Sequence, residues 1–286
     1  MRNLYGNAMK VKRILVPLDS SSFSDSAART ACMLAEKHDA TVAGVAVLDS
    51  PEIRSSIIPA VGPYYPMMLD AVREKLHHAD QVLHESMERF AGICAEAGVE
   101  HRETEYEGIP AQKLLESSIF HDVIVTGLET HFHFETRGGE GESIDKLLKH
   151  TATPVLAVPE TGLTKLENVV ITFDGSFGAS RALRDFLILA EPFQPDITVI
   201  TAGLEREKSD FLLGNAGKLL RAHGFSSVEL VAKEEEIEDA IPESLLRTTD
   251  LIVAGIHSKH RIKDIFVGSF TSKLIASGNI PLFLSH

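Results

Sequence analysis

The chain has little cysteine, no long apolar run and a shortage of positive charge. Two cysteines in 286 residues, Cys32 and Cys94, are too few for a disulfide framework. Both fall in helix-like stretches and read as reduced, buried thiols of a cytoplasmic protein. No apolar run approaches the roughly 20 residues that span a bilayer, so membrane insertion is not expected. The first residues, MRNLYGNAMKVKR, contain no apolar signal core, and export is not expected either. Lys and Arg number 28 against 41 Asp and Glu, a net charge of −13. Such a balance argues against general binding to nucleic acid or anionic membranes, which takes a basic surface. The 44% hydrophobic content is globular.

What the chain does have is a copy of itself. KRILVPLD at 12–19 is matched by ENVVITFD at 167–174, each an apolar run ending in Asp with Ser two residues on, Ser21 and Ser176. HDVIVTG at 121–127 pairs with TDLIVAG at 249–255, and TPVLAVP at 153–159 with IPLFLSH at 280–286. An offset of about 130–155 residues is far too long for a solenoid and indicates two whole domains of one fold. The expected domains are 10–160 and 165–286, with the boundary in PETGLTKLEN at 159–168.

Within each half, short β-branched runs alternate with helix-like segments. Strands are expected at 13–18, 42–48, 100–106, 122–126 and 154–158, then at 168–173, 197–202, 227–232, 250–254 and 280–284. Their near-continuous apolar character suits parallel strands buried on both faces. Ala27, Ala28, Ala31, Cys32 and Ala35 recur at helical spacing, as do Ala182, Leu183, Phe186, Leu187 and Ala190. A later helix begins with Ile-Pro in both halves, at Pro110 and Pro242, where proline suits the first turn. The fold class is α/β: two tandem doubly wound domains, each with a five-stranded parallel sheet flanked by helices. An insertion at 50–67, with Pro51, Pro59, Pro63 and Pro66 plus Tyr64 and Tyr65, reads as a long ordered loop. It would pack against its own domain or, as the second choice, dock a partner.

In open parallel sheets a ligand sits beyond the carboxyl ends of the strands, where strand order reverses. In the second half Asp174 ends the first strand and can accept hydrogen bonds from a ribose or base. Gly255 lets the chain leave the fourth strand without a side chain in the crevice. Gly268-Ser269 opens a helix whose free N–H groups suit a phosphate, with hydroxyls from Ser269 and Thr271.

This arrangement resembles the universal stress protein family, whose Gly-x2-Gly-x9-Gly-Ser loop reads here Gly255-x2-Ser258-x9-Gly268-Ser269. Ser258 stands where the family has its second glycine. The likeness covers two tandem copies, excluding the first ten residues and the 50–67 insertion. It implies a Rossmann-like fold of the adenine-nucleotide α-hydrolase type and nucleotide contacts by Asp174, Gly255, His257, Ser258, Gly268, Ser269, Phe270 and Thr271. The implied ligand is ATP or another adenine nucleotide, with Mg as its companion ion. It also implies that the last strands of the halves meet edge to edge as an intramolecular pseudo-dimer, and that two chains can associate.

The first-half positions of a weaker or lost site are Asp19, Gly127, Gly141 and Ser143. There the loop is one residue longer, Thr130 replaces the second glycine and Glu142 replaces the serine. Residues 127–142 sum to −3, with Arg137 against four glutamates, whereas 255–269 sum to +2. A carboxylate about 4 Å from a phosphate costs roughly 1–4 kcal/mol, so the second half is the better phosphate site.

Other signals carry less. GNAGKL at 214–219 lacks the first glycine and the closing Ser/Thr of a P-loop and reads as ordinary helix. His131, His133 and Glu135 have no second ligand pair at a metal-binding spacing, so no metal site is expected. Glu234–Glu236 reads as a solvated turn. No nucleophile elbow appears and no catalytic residue can be assigned. The expected function is a cytoplasmic stress-response module that binds an adenine nucleotide mainly in its second half, hydrolysing ATP slowly if at all. The alternatives are an interaction module that has lost the nucleotide and, third, an adenine-nucleotide-using enzyme.

Overall fold

A computed structural model describes residues 10–55, 65–130, 134, 142–256, 275 and 279–286. In chain order its elements are β1 (Arg13–Pro17), α1 (Ser22–His38), β2 (Thr41–Leu48), α2 (Ser50–Ser55), α3 (Tyr65–Glu96), β3 (His101–Glu107), α4 (Pro110–Ser118), β4 (Val123–Gly127), α5 (Glu142–His150) and β5 (Val155–Val158). The second half continues with β6 (Asn168–Thr172), α6 (Phe177–Ala190), β7 (Asp196–Ala202), α7 (Arg206–Ala222), β8 (Val228–Lys233), α8 (Ile237–Ala240), α9 (Glu243–Leu246), β9 (Leu251–Gly255) and β10 (Leu282–Ser285). The P-loop-like GNAGKL lies inside α7.

The strands form one ten-stranded sheet in the order β3-β2-β1-β4-β5-β10-β9-β6-β7-β8. Pairing is parallel within each half and antiparallel where β10 meets β5, with Leu282 opposite Ala157 and Leu284 opposite Val155. The reason lies in side-chain chemistry. β5 and β10 read VLAV and LFLS and are buried along their whole length, and apolar strands of this kind cannot be left as open edges in water. The outer strands β3 (HRETEYE) and β8 (VELVAK) instead carry charge and alternate in exposure, which blunts the edges that remain.

Two helical layers cover the sheet. Ile14, Val16, Val169 and Ile171 face the layer of α1, α3, α6 and α7, whereas Leu15, Val170 and Ile252 face the layer of α4, α5 and α9. Successive residues on both faces are apolar because both faces are covered. An aspartate then locks each half in the same way. Asp122 accepts the backbone N–H groups of Lys12 and Arg13 at 2.7 and 2.9 Å, and Asp250 accepts those of Glu167 and Asn168 at 2.9 Å each. The two carboxylates tie the start of the fourth strand to the start of the first, which accounts for their place in the repeated HDVIVTG and TDLIVAG.

Two expectations need correction. The 50–67 insertion is not loop throughout: α2 covers Ser50–Ser55 and α3 begins at Tyr65, while 56–64 lie outside the described residues. Pro51 and Pro66 are each the second residue of their helix, where a missing N–H costs no helical bond. Pro242 is the cap before α9 rather than part of its first turn. The 159–168 segment is a docked strap. The Ser22 hydroxyl bonds Glu160 Oε1 at 2.6 Å, that of Ser26 bonds the Glu160 carbonyl, and Thr30 accepts the Leu163 N–H at 3.0 Å. These three residues fall at i, i+4 and i+8 on α1, one polar stripe matched to the strap, and Leu163 and Leu166 are buried beside it.

His38 closes the junction from the α1 side. Its Nε2–H donates to the carbonyl of Leu189 on α6 at 2.9 Å, and its Nδ1 is buried without a partner among the described residues. Burial lowers the imidazole pKa of His38, and likewise those of His121 and His286. Because the folded values lie below the unfolded value near 6.5, the unfolded chain takes up more protons as pH falls through that point. The stability these neutral rings contribute is complete above about pH 6.5 and is lost below it. Thermal unfolding followed from about pH 8 to pH 5 should show this loss, at up to about 1.4 kcal/mol per pH unit per histidine. His38→Gln keeps an N–H for Leu189 but cannot titrate, and should flatten the decline. A profile rising toward pH 5 would contradict the account.

Candidate functional site

The topology puts β1 beside β4 and β6 beside β9. Strand order reverses between the members of each pair, so the carboxyl ends of β6 and β9 bound the second-half crevice and those of β1 and β4 the first-half one. Of the residues expected to hold nucleotide, Asp174 and Gly255 come together at the second crevice. His257, Ser258, Gly268, Ser269, Phe270 and Thr271 lie outside the described residues. In the first half Asp19 and Gly127 are placed, Ser143 is in α5, and Gly141 lies outside the described residues. His131, His133 and Glu135 are also outside them, and no group of three potential metal ligands occurs among the described residues.

The Asp-x-Ser repeat has a local job in both halves. Asp174 Oδ1 accepts the Ser176 N–H at 2.9 Å, and the Ser176 hydroxyl in turn accepts the Ala179 N–H at 3.2 Å, capping α6. Asp19 Oδ1 accepts the Ser21 N–H at 2.9 Å and the Ser21 hydroxyl at 2.6 Å, and Ser21 caps α1. Each motif therefore satisfies orphan N–H groups and aims a helix N-terminus at its crevice. The halves part company in exposure. Asp174 is half-exposed, whereas Asp19 is only 3% exposed.

The first half is also closely packed after its fourth strand. Thr130, fully buried, donates its hydroxyl to the Gly127 carbonyl at 3.0 Å, so the chain folds back onto the end of β4. Leu128 and Phe134 are buried as well. A Cβ on Gly127 would lie 2.4 Å from Phe23 Cβ and 2.5 Å from the Thr130 hydroxyl. At the end of β4 the first turn of α1, at Phe23, and the Thr130 hydroxyl thus lie directly against Gly127. In the second half the position of Phe23 is taken by Gly178.

Gly255 lies against the start of α6. A Cβ there would stand 2.2 Å from the Ala179 nitrogen and 2.3 Å from the Gly178 carbonyl carbon, and one on Gly178 would stand 2.5 Å from the Ile256 carbonyl oxygen. The two glycines let the first turn of α6 lie directly on the end of β9. This contact brings the helix N-terminus into the crevice beside Asp174. Gly178 was not singled out from sequence, although it lies two residues beyond the repeated Ser176. Phe177, 82% exposed at the crevice rim, also escaped notice.

Residues 10–159 match the family model described as the universal stress protein family. Universal stress protein Slr1230 of Synechocystis sp. is 24% identical over 164 residues, which cover 56% of this chain and 56% of that one, so the chain spans about half the length of that curated relative. The crystal structure of a universal stress protein from Archaeoglobus fulgidus superposes with a TM-score of 0.69 at 16% identity, covering 96% of this chain and 97% of the other. A putative universal stress protein from Pseudomonas aeruginosa gives a TM-score of 0.57 at 11% identity, covering 96% and 93%. At these identities the two structures establish a shared fold.

The glycine contact yields a stability test. Gly255→Ala and Gly178→Ala should each cost about 1–3 kcal/mol or more, because the clashing atoms are backbone. Gly214→Ala, where a Cβ meets nothing within 4 Å in the middle of α7, should gain about 0.5–1 kcal/mol. Urea unfolding of the three variants checks the contrast; equal effects would contradict it.

Proposed function

Because the chain belongs to the universal stress protein family, we propose that it is a cytoplasmic stress-response module that binds an adenine nucleotide, chiefly in its second half. The observation that carries the reading is the difference between the crevices. The second has a half-exposed Asp174 beside a helix N-terminus brought close by Gly178 and Gly255, whereas the first is closed over a buried Asp19. A helix N-terminus favours anionic oxygens, and the adjacent carboxylate suits ribose hydroxyls rather than phosphate. Lys259, Arg261 and Lys263 of the following loop add the positive charge that the first-half loop lacks.

In this reading Gly268, Ser269 and Thr271 receive the phosphates, and His257, Ser258 and Phe270 complete the loop around the ribose. Mg would accompany the phosphates as part of the nucleotide. The sequence offers no recognised general base or water-positioning motif, and in this reading turnover of ATP is slow and binding itself is the signal. A second reading, an interaction module without nucleotide, has one point in its favour: Ser258 occupies the place of the family's second glycine.

Calorimetric titration with ATP separates the two. Ser269→Glu puts a carboxylate at the phosphate position and should weaken binding at least about tenfold. Glu142→Ser should leave the first half unable to bind, because Asp19 stays buried there. Absence of ATP binding in the wild type, or binding unchanged by Ser269→Glu, would move the interaction-module reading to first place.

A further inference from the structure

Cys32 sits on α1 and Cys94 in the last turns of α3, sixty-two positions apart in sequence. Their Sγ atoms are 3.6 Å apart, both thiols are free, and the residues are 3% and 0% exposed. A buried cysteine is usually a small apolar filler. Two of them, brought sulfur to sulfur from separate helices, are a different case. A disulfide needs about 2.05 Å, and adjustments about the two Cα–Cβ bonds supply the roughly 1.5 Å of approach.

We propose that Cys32 and Cys94 are an oxidisable pair, converted by a hydroperoxide into a disulfide that ties α1 to α3. The Cys32 sulfur attacks one peroxide oxygen; the O–O bond breaks, a sulfenic acid forms, and the departing hydroxide takes the thiol proton as water. The Cys94 sulfur then attacks the sulfenic sulfur. The S–S bond forms, the S–O bond breaks, and the second hydroxide leaves with the Cys94 proton, again as water. The two sulfurs together lose two electrons, and one hydrogen peroxide becomes two waters.

Cys32 donates its S–H to the Cys94 sulfur, so whichever sulfur is oxidised first has its resolving partner already in contact. Oxidation that starts at Cys94 runs through the same two steps with the roles exchanged and ends in the same disulfide. Because both are buried, a brief parting of α1 and α3 gates the reaction. Its consequence is concentrated in α1, the helix that also carries the strap through Ser22, Ser26 and Thr30 and reaches α6 through His38.

The test treats the folded, full-length protein with hydrogen peroxide, unfolds it, alkylates all remaining thiols and measures intact mass and peptides. The expected result is a chain lighter by two hydrogens, with no alkyl group added and a Cys32–Cys94 linked peptide that dithiothreitol releases. In Cys94→Ser that loss of two hydrogens should vanish, leaving Cys32 alkylated or singly oxidised. Wild-type chains that remain alkylated at both sulfurs, carry separate sulfinic acids, or link only between chains would overturn the proposal. The wild-type measurement decides by itself should the variant fail to fold.

Discussion

The antiparallel contact of β5 with β10 satisfies a constraint neither half can meet alone. Each half ends in a short strand with apolar residues on both faces, and left as a free edge such a strand would template pairing with another chain. Pairing them makes one sheet out of two and fixes how α1 and α6 face each other. The His38 to Leu189 bond, the docked strap and the contact of His286 with the Leu148 carbonyl all belong to the same junction. The outer edges then have to be the charged strands β3 and β8.

With the sheets joined in this way, two crevices of the same origin face different fates. Both begin with an aspartate, a serine cap and a helix N-terminus. In one, Phe23 and the Thr130 hydroxyl lie against Gly127 and the aspartate is buried; in the other, Gly178 stands at the place of Phe23 and the aspartate is only half-buried. A duplicated fold has thereby acquired one closed half, which supports the sheet junction and the strap, and one half whose Asp174 still meets solvent. Charge follows the same division, −3 in the first-half loop and +2 in the second.

Much of this was legible in the sequence. The strands lie within about two residues of the expected runs because continuous apolar segments, written twice, leave little choice of register. Asp174 and Asp19 could be found because strand ends in a doubly wound fold are where ligands sit. The rest depended on contacts that no local pattern encodes. Proline density in 50–67 suggested loop, yet Pro51 and Pro66 occupy first-turn positions that a helix tolerates. Gly255 was visible as a glycine, but its partner Gly178 and the backbone contact between them require two elements to be placed together. The strap looked like a linker because Ser22, Ser26 and Thr30 are unremarkable until Glu160 and Leu163 lie against them.

The central claim is that the two crevices are unequal and that the second takes the nucleotide. Amide chemical shifts of the isotope-labelled chain, followed as ATP is added, test it residue by residue. The account predicts saturable shifts at Gly175, Ser176, Ala179 and Gly255, with Ser21, Ser24 and Gly127 unmoved. Shifts centred on the first-half amides, or equal in both sets, would contradict it.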